Sequence, residues 1–207
     1  MRRVAVNAER PEPVAIAQAV EVLRGGGVVA FPTDTLYGLA ADPRDGDAIA
    51  RLFALKGRAM TVAVPLIASD FEQAVTAAEF GPMPRRLADA FWPGPLSLVV
   101  PAKPGISPTV LAGGSTVAIR VPAHAVAREL ARAFGFCVTA TSANPSGHRP
   151  PDYADAVVQA LPDVDLLLDA GHVPGGEPST IVSFDNDIPI LVRAGALAWD
   201  RVLKSLQ

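Results

Sequence analysis

The chain has 207 residues, half of them apolar and 19% charged, which allows a large buried core and excludes a disordered or fibrous protein. Its 18 Lys and Arg against 21 Asp and Glu leave a formal charge of −3, without the basic excess of a dedicated nucleic-acid binder. The start Met1-Arg2-Arg3 leads into Asn7, Glu9, Arg10 and Glu12 instead of an apolar stretch, no apolar run reaches the ~18 residues of a membrane span, and the single Cys137 has no disulfide partner, so a soluble cytoplasmic protein is expected.

Pro13 to Arg24 is predicted to be a helix, with Val14, Ala17, Val20 and Leu23 at helical spacing and Gly25-Gly26-Gly27 stopping it. Val28 to Phe31 follows as a short buried strand that runs into Pro32 and a polar loop, the order in which α/β proteins present functional groups. Asp45 to Leu55 is a second helix with Ile49, Leu52 and Phe53 on one face. A strand over Val62 to Ala68, helices over Phe71 to Ala78 and Met83 to Phe91, and a break at Trp92-Pro93-Gly94-Pro95 precede the strand Leu96 to Val100. Further strands are expected over Thr116 to Val121, Cys137 to Thr141, Leu166 to Leu168, Thr180 to Phe184 and Ile190 to Val192. Helices are expected over Ala125 to Phe134, Asp152 to Leu161 and Trp199 to Leu206. Interleaved elements without a repeat or a Pro/Gly-rich linker predict one layered α/β domain over 1–207, in an order this pattern does not specify. The loops Pro101 to Ser115 and Ala170 to Ser179, rich in Gly, Pro and small residues, are the candidates for mobile segments or a lid.

Four clusters can carry chemistry. Pro32-Thr33-Asp34-Thr35-Leu36-Tyr37-Gly38 sets hydroxyls and a carboxylate after a strand, suited either to a small polar ligand or to turn chemistry. Lys56-Gly57-Arg58 pairs a compact ammonium with a planar guanidinium, a combination that suits a polyphosphate; the alternative is a solvated helix end whose cations favour the dipole. Thr139 to Gly147 (Thr-Ala-Thr-Ser-Ala-Asn-Pro-Ser-Gly) is a second strand end dense in hydroxyls, able to cradle an anion or simply to turn at Asn144-Pro145. Arg120 and Arg193 each end an apolar strand, where a charge requires either a structural ion pair or an anionic ligand. No phosphate-loop, nucleophile-elbow or metal-ligand spacing occurs, and His124, His148 and His172 are expected at the surface or as caps.

Taken in order, Pro-Thr-Asp-Thr-Leu-Tyr-Gly, Lys-Gly-Arg, Trp-Pro-Gly-Pro-Leu, Ile-Arg-Val-Pro, Thr-Ser-Ala-Asn-Pro-Ser-Gly, Pro-Ser-Thr-Ile-Val and Val-Arg-Ala-Gly resemble the threonylcarbamoyl-AMP synthases of the YrdC/Sua5/TsaC type across about Pro13 to Gly195. The resemblance implies a YrdC-like twisted mixed sheet flanked by helices, with a concave, positively lined cavity, in the short form without an extra C-terminal domain. It implies that L-threonine, bicarbonate or CO2 and ATP yield threonylcarbamoyl-AMP and pyrophosphate, for transfer by partner proteins to adenosine 37 of certain tRNAs. Magnesium would come with the ATP, without dedicated protein ligands. By the same resemblance Lys56, Arg58, Ser142 and Asn144 would be catalytic and hold the phosphates, and Thr35, Arg120, Ser179 and Thr180 would bind threonine. Thr116 and Arg193 would contact the nucleotide. The segment Ala59 to Leu66 departs from the family in its proline placement, and Ala140 replaces a hydroxyl residue, leaving Thr139 or Thr141 to supply that contact. The competing expectations are a double-stranded RNA or tRNA-binding module of the same fold, disfavoured by the acidic balance, and a carbamoyl-transfer enzyme.

Overall fold

The computed structural model describes residues 1–206 as eleven strands and seven helices. Helix α1 (Pro13–Arg24) stops at Gly25, strand β2 (Val29–Phe31) leads into the hydroxyl loop, and helix α2 (Gly46–Lys56) ends just before Arg58. Two strands that the apolar pattern does not announce are present: β1 (Arg2–Ala5), mostly exposed and carrying two arginines, and β3 (Gly38–Ala40), three buried residues at the end of the hydroxyl loop. The strand expected over Val62 to Ala68 shrinks to β4 (Leu66–Ile67). Helices α3 (Phe71–Ala77) and α4 (Pro82–Phe91) follow, then strands β5 (Leu96–Pro101) and β6 (Thr116–Arg120) and helix α5 (Ala125–Phe134). The strand expected over Cys137 to Thr141 is divided into β7 (Val138–Thr139) and β8 (Thr141–Ser142). Helix α6 (Ala154–Ala160), strands β9 (Leu166–Asp169), β10 (Thr180–Asp185) and β11 (Ile188–Arg193), and helix α7 (Trp199–Lys204) complete the chain.

The strands form two mixed sheets, in the orders β1-β9-β2-β3-β8 and β11-β10-β5-β6-β4-β7. The division at Ala140 explains the two sheets. Leu66 pairs with Thr139 across β4 and β7, whereas Leu39 pairs with Thr141 across β3 and β8, so one stretch of chain changes sheets within five residues. Ala140 N–H donates to Pro65 O at 2.8 Å, and Thr139 Oγ1 accepts from Ala41 N at 2.8 Å and donates to Leu39 O at 3.2 Å, which satisfies backbone groups that neither ladder reaches.

Period-two alternation distributes the strand residues between two apolar clusters. Val29 and Phe31 of β2 and Leu166 and Leu168 of β9 pack with α1 and α5, while Ala30 and Leu167 face the opposite cluster with α2 and α4. Both faces of these strands are therefore buried, which is why their sequences are continuously apolar. The apolar stripe of α1 is Ala15, Ile16, Ala19, Val20 and Leu23; of the expected positions Val20 and Leu23 lie in it, whereas Val14, at 68% exposure, and Ala17 face outward. In α2 the expected face of Ile49, Leu52 and Phe53 is buried, and Asp45 caps the helix by accepting from Asp47 N at 2.9 Å and Ala48 N at 3.2 Å. Leu52→Ala should lower the unfolding free energy in urea by about 2–5 kcal/mol, the range for a buried leucine that leaves a cavity; a loss under about 1 kcal/mol would show that this face is not close-packed.

Candidate functional site

Where the two sheets meet, the strand ends surround a cavity of about 400 Å³, a size suited to a small-molecule ligand. Its cationic lining residues are Arg58, Arg120 and Arg193, and among the described residues no carboxylate contributes to the lining. Hydroxyl residues from four separate segments complete the polar wall, among them Thr35, Thr141, Ser142 and Ser179.

The loop after β2 is organised by Thr33. Its Oγ1 donates to Leu36 O at 2.7 Å and accepts from Thr35 N at 3.1 Å and Leu36 N at 3.2 Å, so local turn chemistry shapes the loop. A hydroxyl has one proton, and Thr33 gives it to Leu36 O; the 3.1 Å contact between Thr33 Oγ1 and Thr35 Oγ1 is therefore donated by Thr35. Thr35 keeps its lone pairs, and because it lines the cavity it can accept from an N–H or O–H of a ligand. Tyr37 anchors the loop from behind: it is fully buried, its phenol donates to Gly171 O at 2.9 Å and accepts from Ala170 N at 3.1 Å, and burial pushes its pKa up to about 12. A Cβ at Gly38, next to it, would stand 3.1 Å from the Phe31 ring, so a larger residue there would require the ring to shift.

Lys56 and Arg58 flank Gly57, whose left-handed φ of 56° terminates α2 and turns the chain. Their side chains part company. Arg58 lines the cavity, donating from Nη1 to Thr141 Oγ1 at 3.0 Å and from Nη2 to Ala63 O at 2.8 Å, and burial lowers its pKa. Lys56 was expected beside it in the cavity, holding phosphates, but it is 3% exposed and is not a lining residue. Its ammonium donates to Ser142 O and, at 2.6 Å, to Asn144 O, while its own carbonyl accepts from Ser146 N at 2.8 Å. Lys56 thus fastens the end of α2 to the loop after β8. Burial, with the Arg58 charge adding to it, brings its pKa down to about 8.

The strand-end cluster divides by the same logic. Thr141 and Ser142 line the cavity, as does Ala140. Thr139 is fully buried and its hydroxyl is used within the fold, so of the two threonines available to replace the contact missing at Ala140 only Thr141 is placed for it. Asn144 turns inward: Nδ2 donates to Pro145 O at 2.9 Å and His148 O at 2.7 Å, and Oδ1 is buried without a hydrogen-bond partner. It shapes the loop and is not a lining residue.

On the opposite wall, Arg193 donates to Ser179 O at 2.6 Å from Nη2 and at 3.2 Å from Nε, and Ser179 Oγ contacts Ser97 Oγ at 2.9 Å. Ser97, in β5 directly after Trp-Pro-Gly-Pro-Leu, lines the cavity and was missed by the sequence reading; its signal is a lone polar residue between Leu96 and Leu98 on a buried strand. Ser179 and Ile181 face the cavity, so Thr180 between them faces away, where its hydroxyl donates to Leu197 O at 2.6 Å and accepts from Leu197 N at 3.1 Å. Thr116 is also not brought to the site: it is exposed at the other end of β6, four residues or ~13 Å from Arg120. His148 and His172 are at the surface, but His124, at the N-cap position of α5, makes no capping bond and buries Nδ1 without a partner.

Residues 21–195 match the model of the Sua5/YciO/YrdC family, described as telomere recombination. The chain is 39% identical over 192 residues to the threonylcarbamoyl-AMP synthase of Bacillus subtilis, covering 90% of this chain and 55% of that protein. It is 37% identical over 195 residues to a putative threonylcarbamoyl-AMP synthase of Mycobacterium tuberculosis, covering 92% of this chain and 88% of that one. The crystal structure of Pyrococcus abyssi Sua5 complexed with L-threonine superposes with a TM-score of 0.94 at 34% identity, covering 100% of this chain and 61% of that chain. The chain thus spans little more than half the length of the B. subtilis relative.

A base whose pKa falls on folding binds fewer protons in the folded state between its folded and unfolded values, so it favours folding increasingly as pH rises through that window. For Lys56 the window runs from about 8 to the ordinary lysine value. The difference in unfolding free energy, wild type minus Lys56→Met, should therefore grow between pH 8 and pH 10, measured by urea denaturation at each pH; a flat difference would place the ammonium in solvent.

Proposed function

The chain belongs to the Sua5/YciO/YrdC family, and from that premise we propose that it is an L-threonylcarbamoyladenylate synthase acting in the cytoplasm, with L-threonine, bicarbonate or CO2 and ATP as substrates. The observation that carries this reading is the lining of the cavity: three arginines and hydroxyls from four segments, without a carboxylate, His or Cys among the described residues. Such a wall can bind anions and orient reactants without forming a covalent enzyme intermediate.

The reaction needs no more than that. The threonine amine takes up CO2 to give a carbamate, and a carbamate oxygen attacks the α-phosphorus as its bond to the pyrophosphate oxygen breaks. Arg120 is the partner for the threonine carboxylate and Thr35 the acceptor for its N–H or O–H. Arg58 and Ser142 hold the phosphates, Lys56 and Asn144 keep the loop that carries Ser142 in place, Arg193 contacts the nucleotide, and Ser179, held by Arg193 through its carbonyl, contacts threonine. Thr116 and Thr180 receive no substrate contact in this assignment. Magnesium would enter as part of the nucleotide, with phosphate oxygens as its main ligands. The product would pass to proteins that transfer the threonylcarbamoyl group to tRNA adenosine.

Pyrophosphate release from ATP and bicarbonate should depend on L-threonine, with L-serine a much poorer substitute. Arg58→Ala should reduce it by about a hundredfold, the scale of losing a charge-stabilising donor at a reacting phosphate, with an unchanged circular dichroism spectrum. No release from folded wild-type protein, together with retention of duplex RNA, would favour the RNA-binding reading; release driven by carbamoyl phosphate in place of threonine and bicarbonate would favour carbamoyl transfer.

A further inference from the structure

Arg120 differs from the other two arginines of the cavity in how its charge is balanced. Arg58 and Arg193 use N–H groups on protein oxygens. Elsewhere, paired arginines such as Arg44 donate hydrogen bonds to their carboxylates, in that case two of 2.9 Å to Asp42. The Arg120 side chain is 8% exposed and stands with Nη1 at 3.3 Å from Oδ1 of Asp34, itself 10% exposed, yet Arg120 Nη1 and both Asp34 oxygens are buried without a hydrogen-bond partner. The contact is close enough to offset the cost of burying a cation but is not aligned to occupy its donors. The hydroxyl loop produces this arrangement: Thr33 and Thr35 line the cavity, whereas Asp34 between them is not a lining residue. Arg120 approaches from a different sheet, at the end of β6 opposite Ile67.

Resting on the synthase reading above, we propose that Asp34 is a positioning residue, which compensates the charge of the buried Arg120 and orients it without capping its N–H groups, so that the guanidinium remains free to take the carboxylate of the amino-acid substrate. The direction of the charge effects agrees with this: burial lowers the Arg120 pKa, and Asp34 is the opposing charge that raises it. His124 feels the same carboxylate, which works against the depression of its own pKa by burial. Asp34 is thus the carboxylate whose charge acts on both Arg120 and His124.

The test is steady-state pyrophosphate release with each substrate varied, on wild type, Asp34→Asn, Arg120→Gln and the double variant. Asp34→Asn should raise KM for L-threonine about tenfold or more, the scale of weakening a charge-assisted contact to a carboxylate, while KM for ATP stays within about twofold. On the Arg120→Gln background the same change should add nothing, because Asp34 acts only through Arg120. The double variant removes the buried charges together, so it serves even if Asp34→Asn alone does not fold. An equal rise in both KM values, an unchanged KM for L-threonine, or a full additional effect on the Arg120→Gln background overturns the assignment of Asp34 while leaving the synthase reading intact. Absence of threonine-dependent release in wild type overturns that reading and this proposal with it.

Discussion

The five residues from Val138 to Ser142 belong to two sheets at once, and the cavity exists because they do. Thr139 completes the ladder beside β4, and Thr141 completes the ladder beside β3. Ala140, between them, bonds to neither strand but to Pro65 O. A strand shared in this way forces the ends of β3, β4 and β6 to converge, and the side chains at those ends have nowhere to point but the space between the sheets. The fully buried hydroxyl of Thr139 compensates the backbone at the crossing, which is why a threonine stands in an otherwise apolar environment.

That convergence sets the electrostatic problem for the rest of the site. Three guanidinium groups approach one cavity without a carboxylate in its wall, and a buried cation must be compensated or it destabilises the fold. The chain meets the requirement in three ways: Arg58 and Arg193 donate to carbonyl and hydroxyl oxygens, Lys56 donates to two carbonyls of the adjoining loop, and Arg120 has a carboxylate behind it. Each solution leaves the cavity face short of negative charge, which is what an anionic substrate would supply. The residues that line the cavity and the residues that serve the fold are thus neighbours in sequence but opposite in direction, as Thr35 and Asp34 are, or Ser179 and Thr180.

The same reasoning separates what could be read from the chain from what could not. The α/β class, the limits of α1 and α5, the buried face of α2 and the four polar clusters are all visible in the sequence, because apolar periodicity and Gly or Pro stops report local burial and local backbone geometry. The order of motifs from Pro32 to Gly195 also pointed to the family to which the chain belongs. Strands β1 and β3 stayed hidden: one is an exposed strand with two arginines, and the other is three residues long with a glycine.

Sequence alone determined which residue types crowd the strand ends: arginines and hydroxyls, a set suited to an anion. Only the tertiary structure decided which of them face the cavity. Lys56 is drawn away by two carbonyls that lie 86 and 88 residues further along the chain, Thr180 by the backbone of Leu197, and Asp34 toward an arginine on another sheet. The physical reason is that a polar side chain near a buried strand end points to whichever partner satisfies its hydrogen bonds or charge. Those partners arrive through sheet pairings between distant segments, which no local pattern records.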